Sequence, residues 1–292
     1  MTTKGRVDVI IPAKNEAETI GELVEALLRV DSINQVIVIN DGSTDATEAR
    51  ARKSGAKVVN HPYSKGNGAA IKTGIQNAEA DFVVMMDADG QHQVSDLESL
   101  LSYREQGNYD MVVGARAREG QANFHRHLAN GLYNFLASKI TEQKVEDLTS
   151  GFRVVNRKRA MEFLELLPNK FSYPTTLTMA FFRSGYSVGY CDIDVKKRSG
   201  KSHVSPLKDG VRFLLIIFKV ATLYSPLKVF FPIAMTFIFT GLVYGIFTLV
   251  EMGRFTNMSA LLLTTGVVIF LIGLISEQVT SLMYIALRRD RQ

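Results

Sequence analysis

Residues 83–93 read VVMMDADGQHQ. The stretch starts as an apolar run suited to a core strand, then turns within one step into Asp87-Ala88-Asp89, followed by Gly90, Gln91 and His92. A short apolar run bounded by turn signals reads as a strand buried on both faces. In an extended chain residues i and i+2 point to the same side, so the strand end is expected to bring two carboxylates together. Like charges that close are costly unless a cation joins them. Mg2+ and Mn2+ take hard oxygen ligands and keep positions for phosphate oxygens. The amide oxygen of Gln91 is a third candidate ligand in the same loop. A cation held on a diphosphate stabilises a leaving group without moving a proton.

Outward from this stretch the same strand pattern recurs in VDVIIPA, QVIVIND, AKVVNH and YDMVVGAR. Between the strands lie helical segments: EAETIGELVEALLRV, DATEARARKSG, GNGAAIKTGIQNAEA and VSDLESLLSYREQG. Strict alternation of strand and helix predicts an α/β fold with a mostly parallel, doubly wound sheet. Such sheets bind ligands beyond the carboxyl ends of their strands. The residues to read are therefore Pro12 to Glu16, Asn40 to Asp45, Lys65 to Gly68, Asp87 to Gln91, and Gly114 to Arg116. Taken singly, Asn15 or Asp45 reads equally as a helix cap, and Gly42 or Gly68 as a turn residue.

Composition changes near residue 205. Val229 to Val250 carries no charge over 22 residues, and MSALLLTTGVVIFLIGLIS is a second uncharged run, of 19. A spanning helix needs about 20 apolar residues. Lys208, Arg212, Lys219 and Lys228 precede the first run, Arg288, Arg289 and Arg291 follow the second, and the link between them holds only Arg254 beside Glu251. The positive-inside rule then places both ends of a transmembrane hairpin, and the domain before it, in the cytosol. PLKDGVRFLLIIFKVATLY, with its mixed basic and apolar residues, suits a helix lying in the interface or a linker helix packed on the domain. The expected organisation is a catalytic domain over 1–205, an interfacial segment over 206–224 and a hairpin over 225–288, with helices at about 229–250 and 258–287. Glu277 is the carboxylate inside the second apolar pattern, suited to an inter-helix or snorkelling role as much as to ligand contact.

The formal net charge is +5, compatible with a membrane surface or phosphate ligands and far from the clustered basic signature of a nucleic-acid binder. The lone cysteine, Cys191, excludes an intrachain disulfide. The opening MTTKGRVDVIIP lacks a long apolar core, so no cleaved signal peptide is expected.

Seven motifs stand together: IPAKNE, VINDGSTDAT, YSKGNGAAIKTG, MDADGQHQ, GAR, LTSGFR and RSGKSH. With them the chain resembles the family 2 glycosyltransferases of the GT-A fold, over residues 6 to about 205. It looks most similar to their polyprenyl-phosphate branch, the dolichol-phosphate mannose synthase type, whose bacterial members carry a C-terminal transmembrane hairpin. The resemblance implies inverting transfer of a hexose-type sugar from a UDP- or GDP-linked donor to a polyprenyl phosphate in the bilayer, with Mg2+ or Mn2+ as cofactor. It implies that Pro12, Ala13, Asn15 and Glu16 line the nucleoside pocket, with Asp41 reading the base and Lys65 and the Gly66–Gly68 backbone near the donor. Asp87, Asp89 and Gln91 would hold the metal, and Arg116 and Arg126 would meet the acceptor phosphate. Arg153, Arg198, Lys201 and His203 would surround the phosphates, and Asp147 would orient the arginines or serve as a base. Two positions depart from the pattern: His203 stands where members often have lysine, and Asn130 where some have serine. A homo-oligomer is compatible with all of this.

Rival readings fit less well. A processive polysaccharide synthase shares the strand-end loops and the spans, but its Q-x-x-R-W motif needs a tryptophan and the chain has none. GNGAAI lacks the third glycine of a dinucleotide fingerprint. A membrane glycosyltransferase with another lipid or polysaccharide acceptor, or a non-catalytic nucleotide-binding scaffold, would keep the same loops; donor turnover separates the scaffold from the enzymes.

Overall fold

The computed structural model describes residues 7–90, 92–116, 124–170, 172–193, 218 and 221–289. The chain divides into two compact units, Met1–Val204 and Ser205–Gln292.

In the first unit the expected alternation appears as β1 (Val7–Ala13), α1 (Ile20–Leu28), β2 (Ile33–Asn40), α2 (Thr47–Lys53), β3 (Lys57–Asn60), α3 (Asn67–Asn77), β4 (Phe82–Met85), α4 (Val94–Gly107) and β5 (Met111–Arg116). Beyond these lie α5 (Phe124–Thr141), β6 (Arg153–Asn156), α6 (Arg157–Glu162), α7 (Tyr173–Arg183) and β7 (Val188–Ile193). The seven strands are ordered β3-β2-β1-β4-β6-β5-β7. β1 pairs in parallel with β2 on one side and β4 on the other. β6 runs antiparallel between β4 and β5, with Arg153 opposite both Met85 and Val113. The sheet is therefore mixed, and this reversed strand is what an alternating pattern does not announce.

Strand and helix faces meet as their periodicities require. Val9 and Ile11 of β1 and Ile20, Val24 and Leu27 of α1 belong to one fully buried cluster, each side chain contributing about 1.5–3 kcal/mol of burial. Asp8, on the opposite face of β1, also has no exposed surface. Burial pushes its pKa up, but donors from Ala80 and Glu79 N–H and from the Asn34 and Gln35 amides outweigh this and hold it low. It staples β1 to the start of β2 and to the loop entering β4.

After β1 the chain turns to β2 and β3, then crosses to β4 on the far side of β1. The carboxyl ends of β1 and β4 thus flank the topological switch, where open α/β sheets form their crevice.

The second unit is a helical hairpin of Pro226–Met252 and Asn257–Arg289. Both helices are long and apolar enough to cross a membrane. They approach closely at glycines: a Cβ on Gly266 would lie 2.6 Å from Ile238 Cγ1, and one on Gly241 3.0 Å from Leu262 Cβ. Small residues at such a crossing suit packing inside lipid. Large side chains face outward, Phe239 68% and Val250 75% exposed. Glu277 accepts a hydrogen bond from the Leu227 N–H at 3.3 Å. It joins the second helix to the first turn of the first.

Candidate active site

β4 ends at Met85, earlier than the sequence pattern suggests, so Asp87 to Asp89 form a turn. The alternation survives the end of the strand. Ala88 is buried at 3% exposure while Asp87 and Asp89 on either side are half-buried. Gly151 comes so close that a Cβ there would lie 3.2 Å from Asp87 Oδ2 and 3.4 Å from Tyr173 Oη. His92 stacks on Phe152 with ring centroids 4.5 Å apart. Burial lowers the His92 pKa, against the opposing pull of Asp87 and Asp89. Gln91 lies outside the described residues.

Across the crevice the loop after β1 is braced on the loop after β2. Asn15 adopts φ +56°, a left-handed conformation that asparagine tolerates. Its N–H donates to Ser43 Oγ at 3.0 Å, and its Oδ1 accepts the Thr44 N–H at 2.9 Å. Glu16 N–H donates to Thr47 Oγ1 at 2.9 Å. Pro12 and Ala13 close β1 at the base of this turn.

Asp41, expected to read the base, is drawn into the protein's own hydrogen bonds. It is buried, and both carboxylate oxygens accept two internal hydrogen bonds. Oδ1 takes His61 Nδ1 at 2.7 Å and the Lys65 N–H at 2.8 Å. Oδ2 takes Ser64 Oγ at 2.8 Å and the Gly66 N–H at 2.9 Å. A carboxylate has about four acceptor sites, and these four donors occupy them in this arrangement. Burial raises its pKa; the four donors outweigh that and leave it low. The Gly66–Gly68 backbone is likewise used internally. A Cβ on Gly68 would lie 2.0 Å from the Pro168 carbonyl oxygen, and the Ala69 N–H donates to Asn169 O at 3.0 Å. Lys65 itself is exposed, its ammonium 5.9 Å from the Tyr63 ring centroid.

At the end of β5, Arg116 grips Asp147 with two bonds, Nε to Oδ2 at 2.7 Å and Nη2 to Oδ1 at 3.0 Å, and Nη2 also reaches Thr149 Oγ1 at 2.6 Å. Asp147 further accepts the Thr149 and Ser150 N–H groups, both at 3.1 Å. Burial pushes the Asp147 pKa up, but the Arg116 hydrogen bond and charge and these backbone donors hold it below the usual range. Burial lowers the Arg116 pKa, and Asp147, helped by the charge of Asp87, raises it further. Arg116 is thus a locked cation within electrostatic reach of Asp87.

Arg153, expected to surround the phosphates, is buried among internal partners. It has no exposed surface. Its guanidinium donates to the carbonyls of Ser150 and Pro174 and to Thr178 Oγ1, which pins the loop before β6 to α7. Arg126 lies on α5, but its side chain is outside the described residues, as are Arg198, Lys201 and His203. Sequence reading did not find His61, Thr149 or Tyr173. Their roles are contacts with partners 20 residues away (His61 with Asp41), 33 residues away (Thr149 with Arg116) and at the Gly151–Asp87 approach, which no local pattern encodes.

Among the described residues no group of three His, Cys, Asp or Glu side chains is arranged to hold a metal alone. Two half-buried carboxylates on one turn form a donor set that suits Mg2+ or Mn2+ shared with phosphate oxygens.

The family model for Glycosyl transferase family 2 matches residues 8–164, more than half of the chain, and the model for the GtrB C-terminal hairpin matches residues 225–282. The chain is 28% identical to glycosyltransferase AglJ of Haloferax volcanii, across 86% of this chain and 84% of that one. It is also 28% identical to the dolichyl-phosphate hexose transferase of the same organism, across 73% and 92%. Among solved structures it is similar in fold to glucosyl-3-phosphoglycerate synthase from Mycobacterium tuberculosis in complex with Mn2+, UDP and glucosyl-3-phosphoglycerate. The TM-score there is 0.59 at 20% identity, covering 74% of this chain and 80% of that one. The mixed GT-A-like sheet, the polar loops at its switch point and the match across residues 8–164 make this chain a member of glycosyl transferase family 2.

Proposed function

We propose that this protein transfers a hexose-type sugar, with inversion, from a nucleotide diphospho-sugar to a polyprenyl phosphate at the membrane surface. The observation that carries the reading is the Arg116 guanidinium clamped by Asp147 at the end of β5, with the half-buried carboxylates of Asp87 and Asp89 just beyond β4 of the same sheet. One position there suits a phosphate and its neighbour suits a cation. The hairpin supports a lipid acceptor, and so does the likeness to a dolichyl-phosphate hexose transferase. The fold neighbour's Mn2+ and UDP support a divalent cation beside a nucleotide diphosphate.

The chemistry follows from the acceptor. A phosphate monoester has a second pKa of about 6, so near neutral pH its oxygen is already an anionic nucleophile. It attacks the anomeric carbon from the face opposite the leaving group. A carbon–oxygen bond forms to the acceptor phosphate, the bond to the donor diphosphate breaks, and the electron pair departs with the nucleoside diphosphate. No proton has to be removed first. Asp147, saturated by donors and with a depressed pKa, serves as the orienter of Arg116 and not as a base. Arg116, joined by Arg126, receives the acceptor phosphate through charge-assisted bonds. A divalent cation on Asp87, Asp89 and Gln91 supplies, when bound, charge stabilisation for the leaving diphosphate. The Pro12–Glu16 turn borders the nucleoside. Arg198, Lys201 and His203 complete the phosphate surroundings. Both chain ends lie in the cytosol, where nucleotide sugars are made.

The test is incubation of membranes containing the protein with a panel of labelled UDP- and GDP-sugars, with and without polyprenyl phosphate. Label should pass into lipid only when the polyprenyl phosphate is present, vanish with excess EDTA and return with Mn2+ or Mg2+. Transfer independent of polyprenyl phosphate, or label in a growing polysaccharide, would overturn the assignment.

A further inference from the structure

Thr19 stands immediately before α1, where a threonine ordinarily turns back to cap the first helical N–H groups. No such cap is made here. Its hydroxyl donates instead to the carbonyl of Ala88 at 2.8 Å, 69 residues further on, with weaker approaches of 3.4 Å to the carbonyl and carboxylate of Glu16. The Ala88 carbonyl belongs to the peptide that leads into Asp89, so holding it fixes the plane from which that side chain departs. The β1–β4 ladder ends just before: its last bond runs from the Met86 N–H to Ile10 O at 3.2 Å. Thr19 takes up the tethering two residues later, from the other side of the switch crevice. It also sits at the end of the turn that Asn15 and Glu16 brace on the β2 loop.

We infer that Thr19 is a positioning residue for the cation–diphosphate site. Its hydroxyl holds the Asp87-Ala88-Asp89 turn in its cation-binding form and couples that turn to the Asn15–Glu16 turn bordering the nucleoside. This rests on the reading of Asp87 and Asp89 as ligands of a divalent cation.

The experiment measures Mn2+ binding to the purified full chain in detergent by electron paramagnetic resonance of free Mn2+, with UDP present. Wild type is compared with Thr19→Val, which keeps shape and loses the hydroxyl, and with Thr19→Ser, which keeps the hydroxyl. Melting temperature in EDTA is the control. Thr19→Val should weaken Mn2+ binding about tenfold, the scale of one acceptor left bare. Thr19→Ser should stay within about twofold, and all three should melt within about 3 °C of one another. Wild-type Mn2+ affinity in Thr19→Val overturns the inference, even if that variant melts earlier, because the bond is then a folding contact alone. Equal weakening in Thr19→Val and Thr19→Ser overturns it too, because the hydroxyl is then not the cause. Failure of the underlying reading shows separately: wild type would bind no Mn2+ with UDP, or Asp89→Ala would bind it as tightly as wild type.

Discussion

Five carboxylates near the sheet ends show how one residue type divides between structure and chemistry. Asp8, Asp41 and Asp147 are each buried and each surrounded by hydrogen-bond donors that hold the pKa low. Asp87 and the neighbouring Asp89 are half-buried on a turn at the crevice. Asp89→Ala is expected to abolish transfer and Asp87→Ala nearly so, with folding intact, since several kcal/mol of leaving-group stabilisation depends on the cation. Initial rates and melting curves measured together check this, and full activity in either variant would refute the cation role. Asp147→Asn tests the orienting role. Removing one partner of a buried pair costs about 3–5 kcal/mol at full burial, and less here because the Arg116 side chain is 33% exposed. The apparent KM for polyprenyl phosphate should rise about tenfold or more, with the donor KM little changed. The pH dependence has a definite sign. A carboxylate with a depressed folded pKa contributes stability that is fully present above the unfolded value, about 3.9, and is lost as pH falls through the folded value. Between about pH 4 and pH 2 the melting temperature of wild type should therefore fall more steeply than that of Asp147→Asn; equal slopes would remove the pair from the stability account.

At the scale of elements, the strands β1 to β5 and helices α1 to α4 are legible because periodicity and turn residues agree locally. The strand β6 and the edge strand β7 lie beyond the run of strands and helices read from VDVIIPA to YDMVVGAR, and β6 owes its antiparallel place to pairing with β4 and β5. The turn before α3 shows how a motif read as ligand-binding can be a packing device. Its N–H groups at Lys65 and Gly66 go to Asp41, and Gly68 meets the Pro168 carbonyl. Gly68→Ala should therefore destabilise the first unit by about 1–3 kcal/mol through overpacking, read as a lowered denaturation midpoint. A neutral result would place the glycine's value in ligand contact instead.

For the whole molecule the open question is how the hairpin is inserted. The Lys and Arg residues flanking it support cytosolic ends, which leaves the link between the helices on the opposite face. Cys191 is the sole cysteine, so a Cys191→Ser background gives a clean site for Asn257→Cys, at the start of the second hairpin helix. A membrane-impermeant thiol reagent should label that position only from the non-cytosolic side. Labelling from the cytosolic side would invert the topology and remove the catalytic domain from its nucleotide donors.

The sequence by itself determined what depends on neighbours in the chain: the alternation of strands and helices, the apolar length of the hairpin helices, and the presence of polar clusters at strand ends. These follow from periodicity, from the length needed to cross lipid and from local turn chemistry. Only the tertiary structure decided which of those polar groups are already satisfied. Asp41 is saturated by a turn more than 20 residues away, Arg153 is enclosed beneath α7, Asp147 is bound to Arg116 across 31 residues, and Thr19 is drawn from its helix to Ala88. A carboxylate or guanidinium looks the same in a sequence whether its partner is a ligand or the protein. The difference is made by burial, which forces each polar group to find a partner, and the sheet order decides which partners are within reach.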